Sequence, residues 1–173
     1  MKAFFLDLKR RIRCELICIN PVLTAVFSST AAFLGVIFAL GGVDADTYDS
    51  FIQPRGALSP FFCVAIWIIM YALYGAAASE VASAKCRIGP EKRTQALALA
   101  ACTLVLSYVW TPMVYRAANF FLASMLTVVT IIALAALYAL YSSVGRICSA
   151  VILIYTLWHV YILYYTFALF LLM

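Results

Sequence analysis

Three tryptophans, Trp67, Trp110 and Trp158, sit inside long apolar runs rather than at their borders. Rings that anchor a chain at a membrane surface stand at the ends of apolar segments. These three therefore read as interior groups. Trp110 lies two residues before Pro112. A proline within a helix removes a backbone hydrogen bond and bends the helix. A bend beside a large ring opens space between helices, and such spaces hold apolar ligands. Close packing of the rings on each other is the competing reading.

Groups able to do acid–base or metal chemistry are few. His159 is the only histidine and adjoins Trp158. A neutral ring bonded to a neighbouring helix is one reading and an axial haem ligand is another. No second ligand stands at helical spacing from it. Glu80, near the end of its run, can reach the interface or pair with Lys85. The six cysteines, Cys14, Cys18, Cys63, Cys86, Cys102 and Cys148, form no C-x-x-C pair. None has a histidine at zinc-ligand spacing. Buried cysteine behaves as a small apolar residue. No catalytic set and no metal site is assigned, so binding is favoured over catalysis.

The elements that must position these groups follow from composition. Of 173 residues, 67% are hydrophobic and 11% charged, and mean hydropathy is +1.06. A soluble domain has about 45–50% apolar and about 25% charged residues, and one of this size cannot hide so much apolar surface. An ordinary soluble enzyme, a disordered regulator and a nucleic-acid-binding domain are excluded. A bilayer-crossing helix needs about 20 apolar residues. Five runs qualify, at about 16–40, 60–81, 94–115, 119–141 and 147–173. Barrel strands would alternate polar and apolar residues, and Val128–Leu137 does not. The expected fold is an all-α membrane protein: one domain over residues 1–173, a bundle of five transmembrane helices.

Charge placement orients the bundle. The net charge is +5. Ten of the twelve Lys and Arg fall on one side: Lys2, Lys9, Arg10, Arg11, Arg13, Lys85, Arg87, Lys92, Arg93 and Arg146. Arg55 and Arg116 fall on the other. Cytoplasmic loops carry the excess of basic residues, so the N-terminus is expected in the cytoplasm. The basic N-terminal segment reads as the flank of a first span, not as a cleavable signal. The charge is thus accounted for by topology rather than by nucleic acid. A bacterial inner membrane is the expected location. Small residues recur at 4-3-4 spacing: Ala72, Ala76, Ser79 and Ser83 in the second run, and Ala96, Ala100, Thr103 and Ser107 in the third. Such faces pack helices closely, either within one chain or across a homodimer.

The order of these motifs resembles the translocator protein family, also called the tryptophan-rich sensory protein or peripheral benzodiazepine receptor family (TspO/MBR). Trp67, Tyr71 and Gly75 stand in "IWIIMYALYGAAASEV", Trp110 and Pro112 in "SYVWTPMVY", and Tyr155 and Trp158 in "IYTLWHVY". Tyr48 and Pro54 fit the end of the family's first loop. The resemblance covers the whole chain. It implies a receptor or transport protein for a flat apolar ligand, such as a porphyrin or haem-type tetrapyrrole, a sterol or an isoquinoline-like drug. No cofactor is required, and the partners are membrane lipid and that small ligand. A mitochondrial outer membrane is the alternative location that the resemblance implies. Loop 41–59 would be the pocket's lid. Trp67 and Trp110 would be ring-stacking walls, Tyr71 and Tyr155 hydroxyl donors, and Trp158 a further aromatic. Cys63, Ile66, Leu122, Met125, Val129 and Ile162 occupy positions that line the pocket in relatives. Arg55 or Arg116 would meet ligand carboxylates. Tetrapyrrole degradation is an alternative function, but the family's loop Trp is absent: Arg55 and Gly56 follow Pro54. The proposed C-terminal cholesterol pattern is also missing, with Phe167 at its Tyr position and no Lys or Arg after Arg146. A ligand-independent structural dimer is a further alternative.

Overall fold

The computed structural model describes residues 21–42, 48, 50–84 and 87–173. Five long helices account for most of them: α1 (Pro21–Gly42), α2 (Pro60–Ser83), α3 (Pro90–Tyr115), α4 (Phe120–Ser142) and α5 (Arg146–Leu172). Among the described residues there is no strand. The predicted starts at 94 and 119 shift to Pro90 and Phe120, and the other boundaries move by at most two residues where both ends are described. The proposed start of the first span at 16, the basic N-terminal segment, Cys14, Cys18, Lys85 and Cys86 lie outside the described residues. Four helices, α2 to α5, are long and apolar enough to cross a bilayer. Helix α1 adds a shorter apolar stretch, Pro21–Ile37.

Local chemistry sets the boundaries. Pro60 and Pro90 open α2 and α3, where a missing N–H costs nothing and the fixed φ already suits a helix. Asn119 caps α4, its Oδ1 accepting from the Leu122 N–H at 3.1 Å. Pro112 sits inside α3, three residues before its end, so only the last turn lacks a ladder bond.

Helix contacts trace a ring, α1–α2–α5–α4–α3 and back to α1, with α2 also touching α3. The seam of α1 on α2 is the closest. A Cβ on Gly75 would stand 2.5 Å from the Phe27 carbonyl oxygen, so only glycine permits this approach. The Tyr71 ring fills the space a side chain at Gly35 would need. The Thr24 and Ser79 hydroxyls bond at 2.8 Å, and Tyr108 O–H donates to the Ala31 carbonyl at 2.6 Å. Ala96, Ala100, Thr103 and Ser107 are all buried within the one chain. That small-residue face serves intramolecular packing and is closed to a seam between copies.

Candidate functional site

Rings from α2, α3 and α5 meet at the end of the bundle where the first loop lies. Trp67 is their hub and is 6% exposed. It stacks on Tyr71, one turn later on α2, with centroids 5.0 Å apart. Trp110 of α3 lies 6.0 Å away, tilted, and Trp158 of α5 lies 5.7 Å away, edge-on. Deeper in, Tyr71 lies 4.8 Å from Tyr108 and 6.4 Å from Tyr155. Offset and edge-on aromatic pairs add about 0.5–1.5 kcal/mol beyond area burial, so this stack holds three helices together.

A cavity opens beside the hub, lined by Cys63, Trp67, Trp110, Thr111, Ile162 and Tyr165 among others. Its walls are almost wholly apolar. Its volume is about 20 Å³, about enough for one water. The site is therefore closed in this structure, its space taken by the rings themselves.

The polar groups around it are mostly committed. Trp110 Nε1–H donates to Thr166 Oγ1 at 3.1 Å. His159 Nδ1 lies 2.9 Å from the Tyr155 carbonyl, and Nε2 lies 2.9 Å from Ser107 Oγ. A carbonyl only accepts, so Nδ1 carries the proton; in the neutral ring Nε2 then accepts from Ser107. The histidine bonds a neighbouring helix and has no free ring nitrogen for an iron. Among the described residues, donors that stay open around the site include the buried Trp158 Nε1–H and Tyr155 hydroxyl and the Thr111 hydroxyl at the cavity wall.

The described part of the first loop is fastened to tyrosines of α5, two of which, Tyr161 and Tyr165, line the cavity. Leu58 N–H donates to Tyr161 Oη at 3.1 Å, and Tyr161 O–H donates to the Gly56 carbonyl at 3.3 Å. Tyr164 O–H donates to the Arg55 carbonyl at 2.6 Å, and Tyr165 O–H to Gln53 Oε1 at 3.3 Å. Within the loop, Tyr48 O–H donates to the Leu58 carbonyl at 2.6 Å. Phe51 stacks on Tyr115 and meets Phe120 edge-on. Ala57 N–H bonds the Pro54 carbonyl at 3.1 Å across a tight turn. Gly56 occupies its third position at φ +81°, a conformation that favours glycine.

Of the residues singled out from sequence, Cys63, Trp67, Trp110 and Ile162 line the cavity. Tyr71, Tyr155 and Trp158 form the ring layer around and behind it. Ile66 is partly buried against the core. Leu122, Met125 and Val129 are placed elsewhere: they are 49%, 42% and 54% exposed on the outer face of α4. The inward face of α4 carries Ser124, Thr127, Thr130, Leu134 and Leu137 instead. Thr111, Tyr161 and Tyr165 were not singled out. Tyr161 and Tyr165 stand three and seven residues after Trp158, a helical spacing that could have revealed them. Arg55 and Arg116 are exposed at this same end. Among the described residues no group of three His, Cys, Asp or Glu could hold a metal.

No curated protein matches the chain. The TspO/MBR family model matches residues 24–172, nearly the whole chain, and the protein belongs to that family.

Proposed function

We propose that this protein binds a flat, largely apolar ligand at the loop end of its helix bundle, as a receptor or transporter. Porphyrin or haem-type tetrapyrroles, sterols and isoquinoline-like compounds share the required chemistry. No cofactor is needed. The observation that carries the reading is the cavity between Trp67, Trp110 and Ile162, placed directly under a loop that neutral hydrogen bonds hold shut. Ring faces give a planar ligand stacking surface. The Trp158 N–H and the Tyr155 and Thr111 hydroxyls offer it unspent donors. Arg55 and Arg116 stand where peripheral carboxylates would emerge. Binding requires the loop to lift and the rings to part, because the closed cavity has room for about one water. In this reading all five helices cross a bacterial inner membrane, with the basic loops on the cytoplasmic side and the pocket opening on the other.

The test is titration of porphyrins, a sterol and an isoquinoline-type compound into the detergent-purified protein, reading tryptophan emission and thermal shift. Quenching by a porphyrin in the micromolar range, lost in Trp67→Ala, is expected. Unchanged emission across several porphyrins would overturn the proposal.

A further inference from the structure

At the opposite end of the bundle, a second cavity lies between α1, α2 and α5. Its volume is about 190 Å³, and Leu73, Ala77, Ile147 and Val151 give it apolar walls. Besides Thr24, whose hydroxyl bonds Ser79, two ionisable groups share that wall, Glu80 and Cys148. The Cys148 thiol donates to Glu80 Oε2 at 2.7 Å. Glu80 Oε1 accepts no hydrogen bond among the described residues. Its nearest cation among the described residues is Arg87 Nη1 at 3.9 Å, beyond hydrogen-bond range. Arg87 is itself fixed, Nη1 donating to the Val144 carbonyl at 2.9 Å, and its other N–H groups have no partner among the described residues. Gly145 passes over the pair. A Cβ there would stand 3.4 Å from Glu80 Oε1 and 3.5 Å from Arg87 Nη1, so the missing side chain leaves the approach clear.

Glu80 Oε1 has no donor among the described residues and is not fully enclosed, so a ligand can reach it three residues from the end of the apolar helix. Its complement needs three parts: N–H donors for Glu80 Oε1, an anion for the free side of Arg87, and an apolar chain for the cavity. We infer that this end of the bundle binds a zwitterionic phospholipid with a primary-amine head, of the ethanolamine type. Its ammonium donates to Glu80, its phosphate accepts from Arg87, and the start of one acyl chain enters between Leu73 and Val151. A choline head carries the positive charge but no N–H to donate. A glycerol head carries no cation. Free phosphate would satisfy Arg87 alone. The site is separate from the loop-end pocket and does not rest on its proposed ligand.

The experiment uses the full chain, delipidated in detergent. Dioleoyl phosphatidylethanolamine, phosphatidylcholine or phosphatidylglycerol is added, and binding is read by native mass spectrometry and thermal unfolding. The ethanolamine lipid is expected to bind several-fold tighter than the other two and to raise Tm. Glu80→Gln should reduce it to the level of the choline lipid. Gly145→Leu, which leaves both charges in place and covers the pair, should do the same. Far-UV circular dichroism confirms that each variant folds. Equal binding of all three lipids by the unaltered protein would overturn the inference. So would tighter binding of the glycerol lipid, or an ethanolamine preference that survives Glu80→Gln.

Discussion

At the loop end, the bundle is closed by aromatic rings and by tyrosine hydroxyls set on backbone groups of the loop. At the basic end, it is closed by a carboxylate, a thiol and a guanidinium. The first closure is neutral throughout, with Tyr161, Tyr164 and Tyr165 each bonding the loop. A neutral hydrogen bond contributes about 1 kcal/mol net, and a lifted loop finds water for its polar groups. The second closure sets Glu80 against Arg87 and Cys148 among apolar side chains. Removing one partner there leaves a charge poorly solvated. The comparison bears on the proposed opening: small neutral bonds at the loop end are cheaper to separate than the charged group at the basic end.

The largest expected effect breaks the ring hub. Trp67→Ala removes a side chain that touches Tyr71, Trp110, Trp158 and His159. It should cost about 3–5 kcal/mol of stability and abolish porphyrin quenching, as thermal unfolding and titration would show. A smaller effect sharpens the contrast between the ends. Tyr161→Phe strips the acceptor from Leu58 N–H and the donor from the Gly56 carbonyl. It should cost about 1 kcal/mol, speed ligand association in stopped-flow quenching, and lower the dissociation constant by about fivefold, because those bonds are given up on binding. Smallest is the difference between two conservative replacements. Trp110→Phe loses the bond to Thr166 and should cost about 1 kcal/mol. Trp158→Phe discards a buried N–H that has no partner among the described residues, and should be close to neutral in the unliganded protein. Tm values of the two variants, measured side by side, check the pair.

Much of this arrangement is legible in the sequence because helix ends and ring positions leave local signals. Pro60 marks a helix start, Pro90 marks one that the apolar run, beginning at 94, passes over, and Trp67 with Tyr71 shows one face by its spacing. Ala96, Ala100, Thr103 and Ser107 read equally as an internal or an external seam, and only the packed fold assigns them inward. Leu122, Met125 and Val129 show the limit most clearly. In a bilayer both faces of a helix are apolar, so hydrophobicity does not say which way α4 turns. The usable signal was polar: Ser124, Thr127 and Thr130 form the stripe that turns inward, their hydroxyls spent on carbonyls one turn back. The loop's fastening to Tyr161, Tyr164 and Tyr165 joins residues more than a hundred positions apart, which no local pattern records. The bond of the Cys148 thiol to Glu80 likewise joins residues 68 positions apart.

The central claim is that the closed cavity at the loop end parts to admit a planar ligand. The most direct measurement is a structure of the porphyrin-saturated protein in a lipid environment. The account predicts the macrocycle between α2, α3 and α5, against Trp67 and Trp110, with the bonds from Tyr161 and Tyr164 to the loop broken. A macrocycle lying on the outer face of α4 against Leu122, Met125 and Val129, with the ring hub undisturbed and the loop still fastened, would contradict it.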